Sequence, residues 1–236
     1  MCLEKIGKYM NKTNVFIVIA AYNEEMVIED VIDEIQHHNY HNIVVVDDGS
    51  KDFTFDKSKK KGVIALRHRI NRGKGAAVKT GIVAANRLGA DVIVTIDGDG
   101  QHDPSDIKNL TEPIICENIE VVLGVRRKIK GEMPYIKIIA NKIGNLVTFL
   151  LYGIHVSDSQ SGYRAYSRYA AKIIDTKADK YEYDSKVIRE INNNRLSFKE
   201  VPIQVRYTEY SMGKAQKQGF INGLKTMFRM IWGMIV

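Results

Sequence analysis

The sequence predicts an α/β fold, a mostly parallel sheet flanked by helices. Three observations predict it. Short, continuous apolar runs rich in β-branched residues recur through the first half of the chain, as strands buried on both faces require. Stretches with apolar residues at helical spacing separate them, as crossovers between parallel strands require. Acidic residues collect where these runs end, at Asp47, Asp48, Asp97 and Asp99, and the carboxyl ends of parallel strands are where such sheets gather ligands.

Taken in order, Val15 to Ala21 (VFIVIAA) reads as the first buried strand. Asn23, Glu24 and Glu25 then open a helix whose apolar face is Val27, Val31, Ile32 and Ile35. Asn42 to Asp48 (NIVVVDD) is a second strand, closed by Gly49-Ser50, and Val63 to Leu66 is a short third. Lys74 to Leu88 starts in a glycine-rich turn and carries small and apolar residues at helical intervals. Ala90 to Ile96 (ADVIVTI) and Ile119 to Val125 are the fourth and fifth strands. Beyond Gly131 the pattern changes. Ser161 to Tyr166 reads as a loop, Tyr181 to Asn192 as a helix and Val201 to Tyr207 as a strand. Tyr135 to Tyr152 and Phe220 to Val236 are apolar helical segments bearing Lys or Arg, suited to lying in a lipid headgroup layer or to packing on the core. The expected organisation is a domain over residues 13–210 and an amphipathic tail over 211–236.

Composition narrows the function classes. Apolar residues make up 44 % of the 236, ample for one core, and the formal net charge of +7 favours an anionic partner. Cys2 and Cys116 are too distant in sequence to form a disulfide framework or a metal-ligand spacing. Met1 to Lys12 lacks an apolar signal core, and no segment has the roughly 18 uninterrupted apolar residues of a spanning helix. Membrane contact is therefore expected to be peripheral; the charge alone does not choose among nucleic acid, anionic lipid and phosphorylated substrates, and a homo-oligomer stays open.

Chemistry concentrates in three motifs. Asp97-Gly98-Asp99-Gly100-Gln101-His102 follows a buried strand directly. Two carboxylates one residue apart in a glycine-rich turn can face one point, and hard oxygen ligands of this kind suit Mg²⁺ or Mn²⁺ shared with substrate phosphates. An isolated pair of this kind is also ordinary turn chemistry. Asp47-Asp48-Gly49-Ser50 offers a carboxylate to a base or ribose hydroxyl, or simply ends a strand. Asn71-Arg72-Gly73-Lys74-Gly75-Ala76 places free amides and cations at a helix start, which favours phosphate. It is neither a P-loop nor a dinucleotide fingerprint, which would need glycine at Val78.

Together with Ala20-Ala21-Tyr22-Asn23-Glu24-Glu25, Asp103-Pro104, Gly124-Val125-Arg126 and Asp158-Ser159-Gln160-Ser161-Gly162-Tyr163-Arg164, these motifs resemble family 2 glycosyltransferases of the Rossmann-like GT-A fold. The nearer resemblance is to the dolichyl- and polyprenyl-phosphate sugar synthases, covering about Val15 to Tyr207. It implies that Ala20, Tyr22, Glu24, Asp48, Lys74, Asp97 and Gly98 line the nucleotide-sugar site. It implies Asp97, Asp99 and Gln101 as ligands of Mg²⁺ or Mn²⁺, and Arg126 and Arg164 as binders of the acceptor phosphate; Arg127 stays open. Asp97, Asp99, Arg126 and Arg164 are thus the catalytic set expected from the resemblance. Tyr207 to Lys214 matches the family's basic segment after the last strand only loosely, so Ser211 and Lys214 receive no role.

The reaction that the resemblance implies is inverting transfer of a hexose or N-acetylhexosamine from a UDP- or GDP-sugar to dolichyl or polyprenyl phosphate at the cytoplasmic membrane face, with no nucleic-acid partner. Such an acceptor is already largely dianionic at neutral pH and needs no general base. Asp158 is expected to orient Arg164 or a backbone turn. Two alternatives remain at this stage: transfer to a glycan or protein hydroxyl, and a non-catalytic nucleotide- or lipid-binding module.

Overall fold

The computed structural model describes residues 13–126, 145, 148–180, 182–206 and 210. Among them are seven strands, β1 (Val15–Ala21), β2 (Ile43–Asp47), β3 (Ile64–Arg67), β4 (Val92–Asp97), β5 (Val121–Arg126), β6 (Arg164–Ser167) and β7 (Phe198–Ile203). Six helices accompany them, α1 (Ile28–His37), α2 (Thr54–Lys60), α3 (Lys74–Arg87), α4 (Ile107–Glu117), α5 (Arg168–Ile173) and α6 (Tyr183–Asn193). The five strands expected in the first half are all present, each within two residues of its expected bounds.

The strands form one sheet in the order β3-β2-β1-β4-β6-β5-β7. The pairs β1·β2, β2·β3, β1·β4 and β5·β7 are parallel, so the sheet is mostly parallel as predicted. The exception is β6, antiparallel to both β4 and β5. Two expectations change here. Ser161 to Tyr166 is not all loop, because Arg164 opens β6, and the last strand runs Phe198–Ile203 rather than Val201 to Tyr207. A four-residue strand beginning with arginine has too little apolar run to declare itself, and β7 exposes alternate residues as the sheet's edge.

Strand alternation sorts the core into two layers. Phe16 and Val18 of β1 point to the layer completed by Ala77, Val78, Ile82 and Ala85 of α3 with α5 and α6. Ile17 and Ile19 point to the other, completed by Ile28, Val31, Ile32 and Ile35 of α1 and by Ile107, Leu110 and Ile114 of α4. Helix α3 lies unusually close to the sheet: a Cβ on Gly81 would stand 2.2 Å from Val18 Cγ1. Gly81 thereby seats the helix on the sheet, while Gly75 lies against Tyr183 and the Ala178–Asp179 backbone; the helix start, and Lys74 with it, comes onto the sheet's carboxyl edge beside Asp97.

Among the described residues no helix is long and apolar enough to cross a membrane. Residues 148–152 are helical. Asn145 is helical too; the other residues of the helical segment expected from Tyr135, the whole tail over 211–236, and Arg127, Ser211 and Lys214 lie outside the described residues.

Candidate active site

Parallel register sets the site. Ala20 pairs with Asp97 and Ala21 with Asp47, so the carboxylates that end β2 and β4 stand at one edge on either side of the β1 end. Gly98 continues the chain tightly against β1, its N–H donating to the Ala20 carbonyl at 3.0 Å.

Asp97 is the centre of a charged cluster. Lys74 Nζ lies 2.8 Å from its Oδ1 and 3.1 Å from its Oδ2, and His102 Nε2 lies 3.5 Å away. Lys74 also reaches Asp184 Oδ2 at 3.4 Å, and Asp184 Oδ1 lies 3.8 Å from Arg164 Nη2. Burial works against charge on Asp97, yet the Lys74 ammonium and the His102 contact hold its carboxyl well below the usual carboxylate range. Asp99 moves the other way: burial, then the neighbouring negative charge of Asp97, raise it. Its Oδ1 accepts from the Gln101 N–H at 3.0 Å. Gly162 closes over the pair. A Cβ there would stand 2.4 Å from Lys74 Nζ and 3.2 Å from both Asp97 oxygens, so only glycine leaves this space.

Two adjacent carboxylates, one made harder to ionise by the other, fit a divalent cation with a preference for oxygen. Among the described residues no group of three or more His, Cys, Asp or Glu side chains gathers for a metal. The donor set here is the smaller Asp97 and Asp99 pair, with the Gln101 backbone N–H bonded to Asp99, and it suits Mg²⁺ or Mn²⁺ sharing its shell with phosphates. The turn is stitched to the segment after β7: His102 bridges Val205, and the Arg206 N–H donates to the Gln101 carbonyl at 2.7 Å. The Arg206 guanidinium joins Glu34 at 2.7 and 2.9 Å to Asp103 at 2.9 Å.

On the expected nucleotide side, Tyr22 is exposed and Glu24 buried. Glu24 Oε2 accepts from the Tyr210 hydroxyl at 2.9 Å. Asp48 departs from expectation. It is buried, and both oxygens face inward: Oδ1 accepts from the Arg72 N–H at 3.0 Å and meets His68 Nδ1 at 2.7 Å, while Oδ2 accepts from the Gly73 N–H at 2.6 Å. It braces the loop that delivers Lys74 rather than presenting a carboxylate to a base. Beside it lies a cleft of about 330 Å³ lined by Gly49, Ser50, Arg67, His68 and Arg69.

The two arginines part ways. Arg126, at the end of β5, donates from Nε to Asp158 Oδ2 at 2.6 Å and from Nη2 to Oδ1 at 2.8 Å, and its side chain stays a quarter exposed. Asp158 therefore orients Arg126, not Arg164. Burial opposes its charge, but the Arg126 bonds win and hold its carboxyl below the ordinary value. Arg164 is 1 % exposed. Its Nε donates to the Ser161 carbonyl at 2.8 Å and its Nη2 to those of Ser159 and Asp184 at 3.0 and 2.9 Å. These bonds hold the 159–162 loop in place from the interior, while Nη1 is buried without a hydrogen-bond partner among the described residues. Sequence reasoning missed Asp184, which in a helix's first turn looks like a simple complement to the helix dipole. It also missed Gly162 as the roof over Lys74, and Arg206 as the clamp on the acidic turn.

Comparison with known proteins agrees with this architecture. The chain is 41 % identical over 239 residues to the UDP-N-acetylglucosamine–dolichyl-phosphate N-acetylglucosaminyltransferase of Methanococcus voltae, covering 92 % of this chain and 94 % of that protein. It is 29 % identical to the polyprenol monophosphomannose synthase of Mycolicibacterium smegmatis, covering 92 % and 86 %. In fold it matches glucosyl-3-phosphoglycerate synthase from Mycobacterium tuberculosis, crystallised with Mn²⁺, UDP and glucosyl-3-phosphoglycerate, with a TM-score of 0.68 at 21 % identity over 95 % of this chain and 83 % of that one. The family model described as glycosyl transferase family 2 matches residues 16–174. With six ordered motifs, the GT-A sheet and that match in agreement, the chain belongs to glycosyl transferase family 2.

Proposed function

We propose that this protein transfers a hexose or N-acetylhexosamine, with inversion, from a UDP- or GDP-sugar to dolichyl or polyprenyl phosphate at the cytoplasmic face of a membrane. The observation that carries this reading is the Arg126–Asp158 pair on the same sheet edge as Asp97. Arg126 ends β5, two strand spacings from β4, roughly 10 Å. A carboxylate held ionised by an arginine is a poor base, so Asp158 is badly suited to stripping a proton from a hydroxyl. A phosphate monoester brings no proton that must be removed, and a partly exposed, planar guanidinium suits it. The dolichyl-phosphate acceptor named for the relative of Methanococcus voltae points the same way.

In this reading an acceptor phosphate oxygen attacks the sugar's anomeric carbon from the side opposite the donor diphosphate. The new C–O bond forms as the old one breaks, its electron pair leaves on the nucleoside diphosphate, and no covalent enzyme intermediate intervenes. Asp97 and Asp99, with Gln101, would hold Mg²⁺ or Mn²⁺, which supplies charge neutralisation at the departing diphosphate when bound. Lys74 adds a second positive charge there. Ala20, Tyr22, Glu24 and Gly98 shape the donor's approach along the end of β1. Arg126 orients the acceptor phosphate, and Asp158 fixes the plane of its guanidinium. Arg164 supports the site from beneath.

The test is direct. Purified protein is incubated with Mn²⁺, polyprenyl phosphate in detergent, and radiolabelled UDP-N-acetylglucosamine, UDP-glucose or GDP-mannose in turn. The proposal expects label from one donor to enter the organic phase. Label transferred only to a glycan or peptide hydroxyl, or none transferred from any donor, would overturn it.

A further inference from the structure

Lys74 stands where an incoming cation would have to work. Its ammonium is 2.8 Å from Asp97 Oδ1 and 3.1 Å from Oδ2, so both oxygens of this proposed metal ligand already face a positive charge. Gly162 roofs the pair closely enough to leave no room for a side chain. A divalent ion arriving alone must compete with Lys74 for Asp97. Among the described residues the ammonium then keeps its contact with Asp184, 3.4 Å away and already shared with Arg164. A donor arriving with the metal changes that balance, because its diphosphate offers Lys74 a new anionic partner.

We infer that Lys74 is a resident counter-ion of the metal seat, so that metal binding without nucleotide is suppressed and metal and donor load together. The inference rests on the functional reading above and adds a binding order to it. Asp184 is the positioning residue of this device: it tethers the ammonium as it passes from Asp97 to the diphosphate. Coupling between two ligands through a shared group typically spans roughly 5- to 150-fold in affinity.

The experiment measures Mn²⁺ binding by electron paramagnetic resonance, with and without UDP or GDP, for the wild-type chain and for Lys74→Met, Lys74→Arg and Gly162→Ala. In the absence of UDP, Lys74→Met should bind Mn²⁺ about tenfold more tightly than wild type, while Lys74→Arg stays weak. Gly162→Ala leaves the chain's charge untouched but drives a methyl group into the space of Lys74 Nζ. It too should tighten Mn²⁺ binding without nucleotide, which a mere change of net charge cannot explain. Mn²⁺ affinity without UDP that is no tighter in Lys74→Met than in wild type overturns the inference; if that variant does not fold, Gly162→Ala is judged by the same criterion. A wild-type chain that takes up no Mn²⁺ with either UDP or GDP overturns the functional reading itself, and this inference with it.

Discussion

Asp184 sits between two cations, 3.4 Å from Lys74 Nζ on one oxygen and 3.8 Å from Arg164 Nη2 on the other. One carboxylate thus ties a lysine at the start of α3 to an arginine at the start of β6. It couples the donor side of the edge to the loop that roofs it.

Replacing Asp97 or Asp99 by asparagine keeps the shape and removes the charge. Each change should lower turnover by about 10²- to 10³-fold, the usual scale for losing a preorganised electrostatic contact. Chelation with EDTA should abolish transfer, and added Mn²⁺ should restore it. Organic-phase product formation checks all three, and full turnover in Asp97→Asn would refute the metal assignment.

Arg164→Met should act on stability, not on acceptor affinity. It leaves three carbonyls without their donor and Asp184 short of a partner. Breaking a buried charged network of this kind costs on the order of 3 kcal/mol. A large rise in KM for polyprenyl phosphate, with Tm unchanged, would instead mean that Arg164 reaches the acceptor.

Asp158→Asn should show the opposite balance. Removing the charge that aligns Arg126 should raise KM for the acceptor about tenfold, worth about 1.4 kcal/mol, and lower stability at pH 7 by about 1 kcal/mol. Because the folded carboxyl lies below its ordinary value, its contribution is fully present above the unfolded pKa of about 3.9. It is lost as pH falls from there through the folded value. Urea unfolding at pH 7 and pH 3 should therefore show the gap between wild type and variant narrowing in acid.

Gly81→Ala should destabilise the fold, despite alanine's better helix propensity. The added Cβ lands 2.2 Å from Val18 Cγ1 on a central strand, an overpacking worth about 1–3 kcal/mol. For a chain of this size, that lowers Tm by about 2–4 °C per kcal/mol, readable by thermal unfolding.

Arg206→Ala should leave stability nearly unchanged, since half-exposed ion pairs contribute less than about 1 kcal/mol. It should instead raise the Mn²⁺ concentration needed for half-maximal activity, because Arg206 pins Asp103 and the acidic turn to α1. Lysine at this position should restore part of the effect. An unchanged metal requirement in Arg206→Ala would dismiss the clamp.

The sheet's first half was legible because β1, β2 and β4 are buried on both faces and so spell continuous apolar runs. The acidic turn was legible because Asp97 closes such a run. Less visible were features made by contacts distant in sequence. Asp48 looks free for a ligand until the Arg72–Gly73 amides fold back onto it. Arg164 looks available to an acceptor phosphate until the Ser159 and Ser161 carbonyls and α6 enclose it. Asp184 and Lys74 are 110 positions apart, and no local periodicity could join them.

The reversed direction of β6 has a consequence for how the charged cluster is completed. Because it runs against β4, it begins where β4 ends, and the 158–163 stretch leading into it arrives beside Asp97. Tyr163, 60 positions after Asp103, donates its hydroxyl to the Asp103 carbonyl at 3.0 Å, and Gly162 lies against Asp97. The cluster is therefore complete only once the antiparallel strand has docked, which ties its assembly to the late part of the chain.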